Sequence, residues 1–203
     1  AGPGGAYLAF DAHRRGHFGT YLYRTRDFGR SWTRIDGDLP AGAGPVNDVV
    51  EHPDRPGLLF AGTEHGLFAS PDAGRSWAPL GANLPTTLYD DLAVHPREKD
   101  LVAGTHGRSL WILDDTSPLA RWTAAADDPA HLFPPREATL FHYWKNTSYR
   151  GQMPFAGENP PFGALLTYHL DRPAGAARLV VRSAAGDTVR TLDVPSSAGV
   201  LHR

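Results

Sequence analysis

The segment Tyr23-Arg-Thr-Arg-Asp-Phe-Gly-Arg-Ser-Trp32 returns as Phe68-Ala-Ser-Pro-Asp-Ala-Gly-Arg-Ser-Trp77, so that Asp27, Gly29 and Trp32 match Asp72, Gly74 and Trp77 at a spacing of 45 residues. A second pair interleaves with the first: Asp48-Val-Val-Glu-His-Pro53 resembles Asp91-Leu-Ala-Val-His-Pro96, and Phe60-Ala-Gly-Thr63 resembles Val102-Ala-Gly-Thr105. Such periods suit one supersecondary unit of four short strands, repeated so that neighbours bury each other's faces. Runs of β-branched and aromatic residues between Gly, Pro and Asp place the strands. One full repeat reads 46–51, 58–63, 66–70 and 76–80, and the next reads 89–94, 100–104 and 108–113. Most of an earlier repeat reads 6–11, 20–25 and 31–36. The fold class is therefore all-β, a partial β-propeller of about three four-stranded blades. A closed ring needs at least four blades, so these residues read as part of a larger ring.

The turn motif has its own physics. A short-armed Asp accepts hydrogen bonds from nearby backbone N–H groups and holds a hairpin turn. Gly29 and Gly74 supply the left-handed backbone that such a turn needs. Trp32 and Trp77 then fill the seam beside it with a large ring. Two copies in two repeats favour an architectural role for Asp27 and Asp72 over a catalytic one. The same reasoning applies to His52-Pro53 and His95-Pro96, which end successive innermost strands, since Pro lacks the N–H a ladder requires.

These turns resemble the Asp-box, or bacterial neuraminidase repeat, found in sialidases, xyloglucanases and sortilin-type propellers. The stretch from Asp91 through His106-Gly-Arg-Ser-Leu-Trp-Ile-Leu-Asp-Asp115 is similar to the last blade of bacterial sortilin-like proteins often labelled glycosyl hydrolases. The resemblance covers residues 6–120, and more loosely Gly157-Glu-Asn-Pro-Pro-Phe-Gly-Ala164 onward. It implies a propeller of many blades, exported to the periplasm, cell surface or medium. No catalytic motif of that family can be carried over residue by residue. The absence of a fourth strand after Asp115 fits a closing blade whose outer strand comes from elsewhere in the chain.

Three regions follow: closing propeller blades over 1–118, a linker and irregular aromatic-rich segment over 119–162, and the start of a β-sandwich over 163–203. The middle region carries Phe133, Phe141, Tyr143, Trp144, Tyr149, Phe155 and Phe162, expected to anchor an irregular segment onto a domain surface, with sugar stacking as the alternative. In the last region 164–170, 177–182 and 188–192 alternate as strands. Ala185-Gly-Asp187 turns between the last two, in the manner of a fibronectin- or immunoglobulin-like sandwich.

In this topology the turns between second and third strands gather on one face, opposite the Asp turns. They place His13, Arg15 and His17, then Glu64 and His65, then His106 and Arg108 together as ligand-face residues. Asp48, Asp90 and Asp91 open the innermost strands on the same side and are the weak catalytic candidates, because glycoside hydrolysis needs two carboxylates about 5–9.5 Å apart. The histidines could ligate a metal, but their spacings match no compact motif, so neither metal nor cofactor is expected. Gly66 and Gly107 permit tight turns, and Arg108 is expected to tie to Asp114 or Asp115.

A net charge of −2 shows no basic stripe for nucleic acid. No apolar run is long enough to span a membrane. The absence of cysteine excludes disulfides and thiolate metal sites. The chain starts at Ala1 without an initiator Met or leader, which reads as a mature or excised piece. The leading expectation is a non-catalytic binding or scaffold module whose ligand is a polypeptide or glycan, joined to the remainder of its parent propeller. The alternative is a glycoside hydrolase of sialidase or xyloglucanase type.

Overall fold

A computed structural model describes residues 2–81, 83–122, 127–140, 157 and 162–202. Apart from one short helix and two 3-10 turns among the described residues, the chain is all-β, and its strands form small antiparallel sheets. It divides into two compact units, Ala1–Thr123 and Ala124–Arg203.

Three sheets make up the first unit. The first runs β1 (Ala6–Ala9), β2 (Leu22–Thr25), β3 (Thr33–Arg34). The second is the full four-stranded sheet: β4 (Val46–Glu51), β5 (Leu59–Thr63), β6 (Leu67–Ser70), β7 (Ala78–Pro79). The third runs β8 (Tyr89–Val94), β9 (Leu101–Thr105), β10 (Leu110–Leu113), without a fourth strand among the described residues.

The sheets interlock through alternating faces. Along β5, Leu59 and Ala61 join Leu22, Ile35, Val46, Phe68 and Trp77 in one core cluster, which seats the first sheet. Phe60, one residue out of phase, joins Leu58, Leu67, Tyr89, Leu92, Leu101 and Ala103 in the other, which seats the third. The period of two along a strand thus turns one apolar run into two interfaces. Phe60, Leu59, Leu22 and Tyr89 are all fully buried; burying each such side chain stabilises by about 1.5–3 kcal/mol. After β10 the short helix α1 (Ser117–Ala120) brings Leu119 and Ala120 back against the second cluster. Thr116, buried at its start, donates its hydroxyl to Lys99 O at 2.6 Å.

In the second unit, β12 (Thr167–Leu170) lies between β11 (Ala130–Leu132) and β15 (Gly199–His202), while β13 (Ala177–Arg182) and β14 (Thr188–Val194) form a separate hairpin. The structure therefore places Ala130–Leu132 within a sheet, where the sequence reads linker. It also pairs β12 with β15 rather than with the strand that follows it. Neither was legible, because both pairings join residues far apart in a chain with little local pattern. Phe133 is buried and packs edge-on to His131 at 4.9 Å between ring centres. Phe162 is exposed. Phe141, Tyr143, Trp144, Tyr149, Phe155 and the Glu158-Asn-Pro-Pro161 stretch lie outside the described residues.

Candidate functional site

The Asp turns sit at the β2–β3 and β6–β7 connections. Asp27 accepts from Ser31 N at 2.9 Å, Ser31 Oγ at 2.6 Å and Thr25 Oγ1 at 2.8 Å. Asp72 accepts from Ser76 N at 2.9 Å, Ser76 Oγ at 2.7 Å and Ser70 Oγ at 3.0 Å. The turn is closed four residues on, rather than two, because the two residues after each Asp turn left-handed: Phe28 and Gly29 at φ 60 and 83, Ala73 and Gly74 at 65 and 88. Donation from the Ser31 hydroxyl and N–H holds the Asp27 carboxyl down at about 2. Burial pushes Asp72 up, but the Ser76 hydroxyl and N–H outweigh it and keep this carboxyl below its usual range. Trp77 is buried and donates its ring N–H to Ile35 O at 2.8 Å, and its own backbone N–H goes to Asp38 at 2.7 Å. Trp32 instead stays exposed, correcting the expectation that both rings fill a seam. The seam is made by a preceding sheet, and the described residues place none beyond β1–β3.

The opposite side carries the turns between second and third strands. After β1 the chain makes a 3-10 turn over His13–Arg15, closed by the bridge Ala12–His17. Asp11 accepts from the His13 N–H at 2.9 Å and lies 2.5 Å from its Nδ1. The backbone donor first, then the imidazole, holds the Asp11 carboxyl below its usual range. This loop borders an open cavity of about 400 Å³ lined by Phe10, Asp11, Ala12, His13, Arg14 and Arg15. The half-exposed Phe10 stands edge-on to Tyr21, 6.1 Å between ring centres. Arg15 and His17 are exposed.

In the second sheet the corresponding turn is covered by the preceding loop. Glu64 N donates to Pro45 O and His65 N to Ala43 O, and a Cβ on Gly44 would stand 2.9 Å from Glu64 Cβ and 3.0 Å from His65 Nδ1. Gly66 is not left-handed; a Cβ there would press on the Phe68 ring at 3.1 Å, so it provides room rather than a bend. In the third sheet Gly107 is left-handed at φ 73, and His106 Nδ1 stands 3.6 Å from Asp90 Oδ2, both side chains exposed. Arg108 is exposed and makes no bond to Asp114 or Asp115.

The three acidic candidates have different surroundings. Asp48 accepts Val49 N at 2.8 Å on one oxygen and Leu92 N at 2.8 Å on the other, so it clamps β8 to β4. Asp90 faces His106. Asp91 points from the outer side of β8, exposed, with no partner for its carboxylate among the described residues.

Sequence reasoning missed two polar arrangements. Buried Asp36 receives Arg34 through Nε at 2.6 Å and a terminal amine nitrogen at 2.6 Å, with that guanidinium 5.4 Å over the Tyr21 ring. The i,i+2 spacing along a strand was the available signal. On the Asp-turn side, Tyr7 donates to Glu51 at 2.9 Å beside a cavity of about 220 Å³ lined also by Arg24, Gly57 and Ala73. Burial and the neighbouring Glu51 push the Tyr7 hydroxyl up to about 12. No group of three or more His, Cys, Asp or Glu among the described residues could hold a metal ion. No helix of the described residues is long and apolar enough to cross a membrane.

No protein-family model matches the chain. It is similar to a xyloglucanase of Hypocrea jecorina (strain QM6a), 32% identical over 129 residues, which is 60% of this chain. The chain spans 15% of that relative's length. The likeness and the all-β architecture together fit a glycosyl hydrolase-like β-structure.

Proposed function

We propose that this chain is a non-catalytic glycan-binding module of an exported protein, its three sheets being consecutive Asp-box blades of a sortilin-like propeller and its second unit the start of a sandwich domain. In this division residues 1–118 are blades, and 119–162 lead into the sandwich over 163–203, with Ala130–Leu132 already paired into one of its sheets. The observation that carries the ligand reading is the loop after β1. There an aromatic ring, a carboxylate and an imidazole line one open cavity. Aromatic faces suit pyranose rings, and an ionised carboxylate accepts sugar hydroxyls more strongly than a neutral group does. Asp90 with His106 offers a second polar pair on the corresponding side of the third sheet. The partial likeness to a xyloglucanase supports a β-glucan as the glycan.

Hydrolysis is the second reading. Asp48 has both oxygens engaged by backbone donors, so a hydrolytic reading falls on Asp90 and Asp91. The test is calorimetric titration of the chain with xyloglucan oligosaccharides, beside a reducing-end assay, for wild type, Phe10→Ala, His13→Ala and Asp90→Asn. The expected result is weak binding that Phe10→Ala and His13→Ala abolish, with no release of reducing ends. Release abolished by Asp90→Asn would replace the binding reading with the hydrolytic one. No binding to any glycan would overturn the glycan ligand and turn the search to polypeptides.

A further inference from the structure

The connection after β1 is unlike its two counterparts. Residues 10–21 join β1 to β2, whereas residues 64–66 join β5 to β6 and 106–109 join β9 to β10. The longer connection is also cationic. Its one acidic residue is Asp11, set against Arg14 and Arg15, with His13 and His17 beside them. The short connections are balanced instead: Glu64 stands next to His65, and His106 Nδ1 lies 3.6 Å from Asp90 Oδ2.

The long connection is ordered by its own backbone. Arg15 N donates to Ala12 O at 2.8 Å, Gly16 N to His13 O at 2.9 Å, and His17 N back to Ala12 O at 3.3 Å. Gly16, left-handed at φ 77, reverses the chain. Asp11 secures the start of the turn through the His13 N–H and imidazole. Its carboxylate is thereby taken up inside the loop. Arg14 and Arg15, both exposed, are left without a hydrogen-bond or ion-pair partner among the described residues. Both line the open cavity beside the half-exposed Phe10 ring. Arg34 shows what an arginine committed to the fold looks like. Buried Asp36 binds its guanidinium, which lies over Tyr21, and the Tyr21 ring in turn stands edge-on to Phe10. Arg34 therefore braces the aromatic wall of the cavity, while Arg14 and Arg15 present unspent charge to its open space.

We propose, building on the glycan reading of this cavity, that its ligand is an acidic saccharide, a uronate carboxylate held by Arg14 and Arg15 while a neighbouring sugar ring lies against Phe10. A guanidinium offers a carboxylate two parallel N–H bonds, each charge-assisted and stronger than a neutral one. Asp11 sets the direction of the ligand. It repels a second carboxylate and accepts hydroxyls, so the uronate goes to the arginines and the uncharged ring to the Asp11 and Phe10 side. A neutral glucan fills the aromatic half alone. An acidic peptide answers the charge and leaves the Phe10 ring without the flat pyranose face that suits it. Both arginines are exposed, so water and salt weaken the gain and the preference is modest.

The matched probes are a tetramer of β-linked glucose and the same tetramer oxidised at its primary alcohols to glucuronate, which differ in charge and share a backbone. Calorimetric titration at low salt should show the uronate tetramer binding about tenfold tighter, equivalent to ~1.4 kcal/mol. Raising the salt from about 0.1 M to about 1 M shortens the screening length from about 10 Å to about 3 Å, and should remove most of that preference. Arg14→Gln combined with Arg15→Gln should bring the uronate tetramer down to the affinity of the glucose tetramer. Arg172→Gln combined with Arg190→Gln, which takes the same charge from exposed positions of the second unit, should leave the preference in place. Equal affinity for the two tetramers, or a preference that survives Arg14→Gln with Arg15→Gln, would overturn the acidic ligand while a neutral glycan site stands. Failure of both tetramers and of xyloglucan oligosaccharides to bind would overturn the glycan reading with it. A tetraglutamate peptide that binds as tightly as the uronate tetramer would make an acidic polypeptide the occupant instead.

Discussion

The turn over residues 25–32 and the turn over 70–77 share Asp, Gly, Arg, Ser and Trp at matching positions and the same Ser-to-Asp hydrogen bonds, yet they end in different environments. Asp27 and Asp72 each gather Ser and Thr or Ser donors at 2.6–3.0 Å. Beyond the turn the likeness stops. Trp77 is 6% exposed and makes two hydrogen bonds into the preceding repeat, through Asp38 and Ile35. Trp32 is 43% exposed. Gly74 has Ile35 Cβ and O within 2.7 Å of where a Cβ would sit, while Gly29 has only the Trp32 ring at 3.8 Å. The motif thus specifies a turn by itself and an interface only when another repeat lies against it. A repeat protein divides its stability in that way, into local terms and nearest-neighbour terms.

Truncating the two tryptophans isolates the neighbour term. Trp77→Ala should lose about 3–5 kcal/mol, with the ring's area and the N–H bond to Ile35 both gone. Trp32→Ala should fall within about 1 kcal/mol of wild type. Denaturant midpoints of the two variants check this, and equal losses would mean that Trp32 is covered in solution.

The glycines separate local strain from packing. Both are left-handed, so an added Cβ costs about 1–2 kcal/mol at either position. Gly74→Ala must in addition push on Ile35, and overpacking of this kind adds about 1–3 kcal/mol. Thermal unfolding should therefore place Gly74→Ala well below Gly29→Ala. If the two melt together, the close approach of the 70–77 turn to Ile35 is looser than 2.6 Å implies.

How much of this could be read from the sequence depends on whether a repeat copy was at hand. The strands of the second sheet, 46–51 through 78–79, and of the third, 89–94 through 110–113, were legible because each residue had a counterpart to align with. The exposure of Trp32 was not, because it depends on what stands beside the first sheet rather than on the motif. Asp48 reads in the sequence as a candidate acid. Its use as a clamp on Leu92 N emerges only when two sheets are brought face to face. The strands β11 and β15 had no copy and little alternation, and their partner β12 is distant in sequence. On the loop side, the pattern had placed His13, His106 and Asp90 on one face without showing that His13 meets Asp11 or that His106 meets Asp90.

The smallest expected effect compares His52 with His95, the two copies of the His-Pro pair. Each imidazole uses Nδ1 as an acceptor, for Asp54 N at 3.2 Å and for Glu98 N at 3.0 Å. His52 is buried under the next repeat, where Lys99, Asp54 and Asp115 surround it, and its Nε2 has no hydrogen-bond partner. Among the described residues no further repeat covers His95, which is exposed. Burial therefore pushes His52 below the 6.5 of a free imidazole. In the folded chain it stays neutral at a pH where the unfolded chain would already bind a proton. More protons on the unfolded state means stability rises with pH. The contribution is intact above about 6.5 and is lost as pH falls below it. Urea unfolding at pH 7.5 and 5.5 should show that loss in wild type and in His95→Gln, and a shallower pH slope in His52→Phe, which keeps a ring in the site without a titrating group. A slope unchanged by His52→Phe would show that the His52 ring is reached by water, and hence that the second and third sheets part there in solution.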